Sequence, residues 1–424
     1  RITDSTVVLR DTAFHDANAS VSSSHVYLDN LNFDGGRLSL DTNDQPDLIN
    51  NVTVRNVPGA AIQLGGANDY FLGPALTLEN NEYPVGVANG GILPGSSVPT
   101  TGNTHNAVRG PSDSEDYFGP VTWADAGVPY EITGWPFLWG RWSFLPGTTF
   151  KLGPGAGLEA EGPGPWIEAR GEPGRPVTFT WLNPGQSWER LYGLERLEHA
   201  VVEGGQTALV SPGGLATHVD STRFENNAQA IVNYSVVRSS QFINNGIALA
   251  GTSVNARGEQ MPNSFEGNGL AAQGSLDATH NWWGSPTGPT TPENPGGTGD
   301  PIASGVPFQP FRTSPPDYSD SPPVVHLNEV SPILEPGSKT MLMWSATDDG
   351  TITGYRVLFS PAGAGPNHYT VLAELPPSRQ AFAWTVPDIG IQLNGEPPSI
   401  RVEATDDQGQ IGWDATYTTI APVP

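Results

Sequence analysis

The chain has no cysteine, and its 424 residues include only two lysines, Lys151 and Lys339. The absence of cysteine excludes disulfides and thiolate metal sites, so stability must come from stacking and packing. No stretch approaches the roughly 18 consecutive apolar residues that a membrane helix requires. Proline or glycine interrupts almost every window with a helical apolar period, so helix is expected to be a minor component.

Only 15% of the residues are charged, and most of these are acidic, so the formal net charge is −25. Such a surface repels phosphates and anionic lipids, so we expect neither a nucleic-acid partner nor membrane insertion. Glycine (51 residues) and proline (41 residues) are abundant, yet 37% of the chain is hydrophobic. This combination favours a turn-dense, all-β protein, and the length predicts two or three structural units.

Three loosely similar phrases recur: DSTRFENNAQAI (220–231), SSQFINNGIAL (239–249) and PNSFEGNGLAA (262–272). In a parallel β-helix each coil lays short strands on the preceding coil about 4.8 Å away, so equivalent residues stack. Aromatic residues then stack inside, while asparagine tolerates the left-handed backbone of corners and can hydrogen-bond to its counterpart in the next coil. Related phrases occur at 11–21, 30–40, 51–64 and 75–85. We therefore predict coils with Phe224, Phe242 and Phe265 in one inner column.

The segment from about 145 to 311 resembles the right-handed parallel β-helix proteins (pectate-lyase-like superfamily) of secreted and surface-exposed bacterial proteins. The phrases PGTTFKLGPGAGLEAEG, RPVTFT and the closing NWWG, GTGD and FQPF carry this resemblance. It implies the fold and an extracellular location, and it says little about activity. The predicted organisation is a first run of coils over 1–110, a junction over 111–144, a second run over 145–312 and a proline-rich linker over 313–330.

Beyond the linker, the segment 331–424 consists of alternating apolar and polar runs separated by turn residues. This pattern is typical of a small β-sandwich, and Trp344, Tyr355, Trp384 and Val402 are expected to line its core. The segment resembles the Ig-like or fibronectin-type-III-like modules appended to bacterial surface proteins. The predicted fold class is therefore all-β: a right-handed parallel β-helix in two runs, followed by a small C-terminal β-sandwich.

Enzymatic motifs are missing from the helix region of the sequence. Galacturonase-like hydrolysis needs paired aspartates with a Gly-His-Gly element, yet the adjacent pairs Asp348/Asp349 and Asp406/Asp407 fall in the sandwich. Lys151 lies between Phe150 and Leu152, so it is expected to face solvent rather than to act as a lyase base. We predict no catalytic residue; the alternative is a carbohydrate-active β-helix enzyme, a polysaccharide lyase or hydrolase.

Two segments are candidate binding sites. Seven of the twelve tryptophans lie between Trp123 and Trp188, and exposed rings can stack on sugars. The candidate glycan-binding residues are Trp123, Trp135, Trp139 and Trp142; the alternative is a hydrophobic plug between the two runs, because Phe137 and Leu138 intervene.

The acidic phrase SDSED is the candidate calcium site, with Asp113, Glu115 and Asp116 as ligands, and a solvated acidic loop is the alternative. The aspartates in the Asp-Asp turns of the sandwich are likewise either calcium ligands or residues that simply form the turn. No other cofactor is expected.

These observations favour an extracellular, cell-surface bacterial protein with a structural or adhesive role, built as a stiff β-helical rod. A polysaccharide or another cell-surface ligand is the expected partner. The apolar residues Ile2, Val7 and Leu9 already form a coil-like pattern, and an uncovered coil offers a template for another β edge. We therefore expect upstream coils or a second copy on the first coil, the latter giving end-to-end fibres or surface layers. The alternative is a frayed end.

Overall fold

The computed structural model describes residues 6–23, 25–42, 47–99, 101–161, 167–212, 217–258, 261–328, 330–331, 333–361, 369–389 and 398–420. The chain divides into two compact units, Arg1–Pro316 and Asp317–Pro424, and this boundary falls within the predicted linker. Within the described ranges the elements of secondary structure are all β-strands, and no helix there is long and apolar enough to cross a membrane.

The first unit is a parallel β-solenoid of about 11 turns, which confirms the predicted all-β class. Its strands pair in parallel with those of the preceding and following turns, so they form two long sheets. The 12-stranded sheet contains β2 (Ala19–Ser23), β4 (Leu38–Thr42), β7 (Ala60–Gly65), β10 (Tyr83–Val87), β12 (Val108–Arg109), β15 (Tyr130–Ile132), β18 (Thr149–Leu152), β21 (Val177–Trp181), β24 (Ala200–Glu203), β27 (Arg223–Glu225), β30 (Gln241–Ile243) and β32 (Ser264–Glu266).

The second sheet of the solenoid has 21 strands and, over its later turns, forms two parallel ladders. Its strands are β1 (Thr6–His15), β3 (His25–Asp34), β5 (Asp47–Ile49), β6 (Val52–Arg55), β8 (Asp69–Leu72), β9 (Leu76–Glu79), β11 (Gly91–Ile92), β13 (Asp116–Phe118), β14 (Val121–Trp123), β16 (Phe137–Trp139), β17 (Trp142–Phe144), β19 (Gly157–Glu161), β20 (Ile167–Arg170), β22 (Arg190–Tyr192), β23 (Leu194–Glu198), β25 (Thr207–Val210), β26 (His218–Asp220), β28 (Gln229–Val232), β29 (Val236–Arg238), β31 (Ile247–Asn255) and β33 (Leu270–Asp277). A short parallel pair, β34 (Pro289–Thr290) and β35 (Gly299–Pro301), follows.

The repeated phenylalanines form one inner column, as predicted. The ring centroids of Phe224 and Phe242 lie 5.2 Å apart and those of Phe242 and Phe265 lie 5.0 Å apart, with nearly parallel planes. All three side chains are fully buried, and Trp283 continues the stack at 4.7 Å. The rings are therefore spaced like the strands that carry them, about 4.8 Å apart, because each strand has its aromatic residue at the position equivalent to that in the neighbouring strand.

The two asparagines that follow Phe224, and the two that follow Phe242, have different roles. Asn226 and Asn244 adopt left-handed backbone with φ of 56° and 53°, which turns the corner after the strand. The next residues form a buried ladder, in which Nδ2 of Asn227 donates to Oδ1 of Asn245 at 2.9 Å. Nδ2 of Asn245 in turn donates to Oδ1 of Asn268 at 3.0 Å. The hydrogen bonding predicted between coils is thus confirmed.

The predicted junction, 111–144, contributes strands β13 to β17 to the two sheets of the solenoid. Strand β15 pairs with β12 before it and with β18 after it. Strands β16 and β17 likewise pair with β13 and β14 before them and with β19 and β20 after them. The coils on the two sides of this segment therefore share continuous sheets.

The C-terminal unit consists of small, mainly antiparallel sheets around one core, as predicted for a sandwich. Trp344, Tyr355, Trp384 and Val402 are all buried in this core. A three-stranded sheet contains β36 (Val324–Leu327), β38 (Lys339–Thr347) and β41 (Ala381–Thr385). A four-stranded sheet contains β39 (Ile352–Ser360), β40 (Thr370–Leu375), β42 (Ser399–Asp406) and β43 (Ile411–Tyr417), while β37 (Ile333–Leu334) pairs with β44 (Thr419–Ile420).

Candidate functional site

Strand alternation determines which aromatic residues of the tryptophan-rich segment face outward. In β16, Leu138 is buried in the core, so its neighbours Phe137 and Trp139 point to the opposite side of the sheet and are half-buried. Strands β13, β16, β19 and β22 are successive neighbours in one ladder. We call the aromatic residues on or beside the outer side of this ladder the outer aromatic face: Phe118, Trp135, Phe137, Trp139 and Tyr192.

Trp139 is held in place by the preceding coil. Its Nε1 donates to Oδ1 of Asp116 at 2.9 Å, and its ring is nearly parallel to that of Phe118, with centroids 6.4 Å apart. Phe118 is 52% exposed, the largest exposure of any phenylalanine side chain among the described residues. The hydrogen bond satisfies the polar edge of Trp139, so its remaining exposed surface is apolar ring.

Trp135 is fixed from the other direction, by the following coils. Its Nε1 donates to Oε2 of Glu159 at 2.8 Å. The guanidinium carbon of Arg190 lies 4.8 Å from the Trp135 ring centroid and 5.2 Å from that of Tyr192. This geometry allows cation–π contact with both rings, and Arg190 also lies 3.7 Å from Glu159. The face therefore combines fixed aromatic rings with a carboxylate and a guanidinium.

Trp123 and Trp142 require a correction, because both side chains are fully buried in the core. Their ring centroids lie 5.3 Å apart in an edge-to-face arrangement. Their indole nitrogens donate to backbone carbonyls, of Gly90 and Trp139 respectively. Neither ring offers a face to a ligand, so both belong to the hydrophobic plug that was the alternative prediction. Trp166, which belongs to the same cluster in the sequence, lies outside the described residues.

The acidic loop near 113–116 holds neighbouring residues of the solenoid. Oδ1 of Asp113 accepts a hydrogen bond from the Tyr117 hydroxyl at 2.7 Å, and Asp116 accepts the bond from Trp139. Glu115 contributes its backbone carbonyl to Phe137 N–H, and its side chain is exposed. Among the described residues no three His, Asp or Glu side chains already stand at the spacing of ligands around one metal ion. Two of the three candidate carboxylates thus accept hydrogen bonds from neighbouring side chains, and the calcium site in this loop stays a prediction.

A charged ladder, which no sequence motif indicates, crosses four coils on strands β20, β23, β26 and β29. Arg170, Glu198, Asp220 and Arg238 are consecutive partners in register. Glu198 accepts from Arg170 at 3.0 Å and from the nearly inaccessible Arg196 at 2.5 Å, while Asp220 accepts from Arg238 at 2.6 Å. These residues are 18 to 28 positions apart along the chain, so no local motif reveals them.

The two carboxylates of this charged ladder have opposite pKa shifts. Burial would raise the pKa of Glu198, but the guanidinium groups of Arg196 and Arg170 outweigh burial and lower it to about 2. Burial raises the pKa of Asp220 despite Arg238, and the negative charge of Glu198 adds to the increase. Carboxyl groups with separated pKa values are what acid–base catalysis needs. Here, however, each one is bonded to arginine and largely buried, which favours a structural ion-pair network.

Lys151 lies on the outer side of the 12-stranded sheet, as predicted, beside Glu131 in the preceding coil. Oε2 of Glu131 accepts from the Tyr83 hydroxyl at 3.1 Å and lies 3.0 Å from Nδ1 of His105. The rings of Tyr83 and His105 stack with centroids 4.4 Å apart. Burial and then Glu131 raise the pKa of Tyr83 well above its ordinary value, so this hydroxyl remains a hydrogen-bond donor at neutral pH.

Comparisons with known proteins identify no family for the chain. No protein-family model matches it, and no curated protein does. Among solved structures, it is similar to one described as fibronectin(III)-like modules of CbhA from Clostridium thermocellum, with 18% identity and a TM-score of 0.19. The match covers 24% of this chain and 48% of that one, about half the length of the solved structure. A likeness this low defines neither fold nor function.

Proposed function

We propose that the chain is an extracellular bacterial surface protein with an adhesive and structural role, and that its outer aromatic face binds glycans. The observation that carries this proposal is the set of fixed, partly exposed rings on or beside β13, β16 and β22, three of the four neighbouring strands of this ladder. Three strand spacings of about 4.8 Å give the face a span of about 14 Å, room for more than one sugar unit. The C-terminal unit would be an Ig-like or fibronectin-type-III-like module.

The chemistry of the outer aromatic face fits a carbohydrate better than other ligands. Trp139 and Phe118 offer apolar surface to the C–H side of a sugar ring, while Glu159 and Arg190 offer an acceptor and donors to hydroxyl groups. Convergent polar groups beside apolar surface are the usual composition of a small-molecule site. The net charge of −25 disfavours nucleic-acid bases as the stacking partners.

The solenoid also supports the structural part of the proposal. Its 12-stranded sheet, at about 4.8 Å per strand, corresponds to a length of about 50 Å. Stacked aromatic and asparagine columns hold successive coils in register, which makes such a body stiff along its axis. A stiff body suits display of a binding face away from a cell. Immunolabelling of intact cells of the source organism tests the location, and labelling that requires lysis would contradict it.

Glycan binding is tested by titrating the full chain with soluble neutral and acidic polysaccharides in a calorimeter. We expect saturable binding to at least one polysaccharide, weakened about tenfold, or about 1.4 kcal/mol, by Trp139→Ala and by Trp135→Ala. Tyr27→Ala is the matched control, because Tyr27 is an aromatic residue with 43% exposure on β3, away from the face. Binding to none of the polysaccharides, or equal losses in the Tyr27 variant, would refute the proposal.

A carbohydrate-active enzyme is the second candidate function, and the charged ladder is the observation that would carry it. Glu198 and Asp220 are neighbouring carboxyl groups with separated pKa values, as an acid and a base would require. The test is incubation with the same polysaccharides and detection of reducing ends or unsaturated products. We expect neither product. Reproducible release that Glu198→Gln or Asp220→Asn abolishes would replace the adhesive function with the enzymatic one.

A further inference from the structure

Five aspartates gather at one end of the C-terminal unit. The β38–β39 turn and the β42–β43 turn meet there because β39 pairs with β42, and β36, which pairs with β38, brings in the segment before it. The aspartates are Asp320, Asp348, Asp349, Asp406 and Asp407. Within the described residues, none of them forms an ion pair with lysine, arginine or histidine. Their negative charges are therefore uncompensated by the protein.

Two buried carboxylate oxygens in this group have no hydrogen-bond donor. Asp406 is 2% exposed; its Oδ1 accepts from the backbone N–H groups of Gln408 and Gln410, while its Oδ2 is buried and unpartnered. Oδ2 of Asp348 accepts from Gly350 N–H at 3.1 Å, while its Oδ1 is likewise buried and unpartnered. Leaving a buried charged acceptor unsatisfied is costly, so each oxygen indicates a missing positive partner.

Other carboxylate oxygens of the same group border a small space beside Gly350. A Cβ atom placed on Gly350 would lie 3.1 Å from Oδ1 of Asp407, 3.3 Å from Oδ2 of Asp348 and 3.5 Å from Oδ1 of Asp320. Three carboxylates thus border one point that glycine leaves free of side-chain atoms. Gln410 holds Asp320 in this position by donating from Nε2 to Oδ2 at 2.5 Å.

The carboxylates of this group also repel one another. Asp406, Asp349 and Asp320 all lie close enough to Asp348 for their negative charges to act on it, and Asp320 acts likewise on Asp406. A bound cation would relieve this repulsion.

We propose that this end of the C-terminal unit is a calcium site in which Asp348 and Asp406 bind the ion through their unpartnered oxygens. Asp320 and Asp407 supply further oxygens, and backbone carbonyls or water complete the shell. An all-oxygen donor set selects a hard cation, and calcium accepts 6–8 ligands in flexible geometry, whereas magnesium demands a near-ideal octahedron. No three acidic side chains already stand at ligand spacing among the described residues, so the turns must close on the ion.

The test is calorimetric titration of the chelator-stripped full chain with calcium chloride. We expect saturable binding at one site with a Kd of about 0.1–1 mM, the range of extracellular calcium modules. Asp348→Asn and Asp406→Asn each keep the shape of the side chain, and each should weaken binding at least about tenfold. Glu374→Gln, an exposed carboxylate on β40 of the same unit, and Asp113→Asn, in the acidic loop of the solenoid, should leave binding unchanged.

A melting experiment separates a metal site from a merely structural acidic cluster. In chelator, Asp348→Asn should melt at a higher temperature than the unmodified chain, because one repelling charge is gone. In 10 mM calcium the order should reverse, because the ion stabilises the unmodified chain more than the variant, which binds it at least about tenfold more weakly. Three results would each overturn the proposal: no saturable heat up to about 10 mM calcium, a concentration above the expected Kd range; undiminished binding in Asp348→Asn; or loss of binding in Asp113→Asn.

Discussion

The asparagine ladder allows a quantitative test of what holds the coils together. Asn245 is 2% exposed and takes part in four hydrogen bonds through its side chain. Its Nδ2 donates to Oδ1 of Asn268 and to the Phe224 carbonyl, both at 3.0 Å, and its Oδ1 accepts from N and Nδ2 of Asn227. Asn245→Ala removes all four bonds and leaves the Asn227 N–H buried without a partner.

The expected loss follows from counting these bonds. An orphaned buried donor costs about 1–3 kcal/mol and each of the three further bonds about 1 kcal/mol, so Asn245→Ala should lower the free energy of unfolding by about 4–6 kcal/mol. The measurement is equilibrium guanidinium denaturation of the full chain, followed by circular dichroism. The solenoid transition reports the change.

The neighbouring asparagine is the matched control. Asn244 is exposed, its φ is 53°, and its counterpart in the next coil is Gly267 with φ of 76°. Because glycine adopts this backbone freely, Asn244→Gly should change the free energy of unfolding by no more than about 0.5 kcal/mol. A loss below about 1 kcal/mol in Asn245→Ala, against the orphaned-donor cost above, would refute the ladder argument. Equal losses in the two variants would also refute it.

Three further predictions concern charge and assembly. The pKa of Glu198 is lowered from 4.5 to about 2, so its ion pairs stabilise the fold fully above pH 4.5 and are lost as pH falls towards 2. Glu198→Gln should lose about 3–5 kcal/mol at pH 7 and show a weaker acid transition; an unchanged acid titration would contradict this. The pKa of Asp348 is raised from 3.8 to about 6, so its charge destabilises the fold above pH 6, and without calcium the melting temperature of the C-terminal unit should rise as pH falls from 6 towards 4. A flat melting profile would contradict that shift. End-to-end association should appear in sedimentation velocity as species that grow with concentration, whereas a single monomer at all concentrations would contradict it.

The parts of the fold that the sequence predicts are those where one strand's residues repeat the pattern of the next. In the phrase F-x-N-N, the aromatic residue, the left-handed corner and the ladder asparagine each have a separate local requirement, and the structure meets all three at Phe242, Asn244 and Asn245. The alternation around Trp344 and Tyr355 similarly predicts the sandwich core. Such patterns are readable because side chains alternate with a period of two along a strand.

Which tryptophans point into the core could not be predicted from the alternation of the sequence. The stretch WPFLWGRW is apolar at nearly every position, so it carries no alternation that shows which residues lie inside. A shift of one residue would bury Trp139 and expose Leu138. Pairing with the flanking coils settles the register, and it places Trp142 in the core while Trp139 remains on the outer aromatic face.

The contacts within the charged groups depend on the tertiary structure even more strongly, since their members are far apart along the chain. Glu198 meets Arg170 only because one coil brings β23 beside β20, and Asp320 meets Asp348 and Asp406 only because three segments of the C-terminal unit end at the same place. Loops of different lengths separate the coils, so residue spacing does not reveal which charges become neighbours. Composition and periodicity thus specify stacked coils and a sandwich. The pairing of strands distant in sequence selects the surfaces on which rings and carboxylates come together.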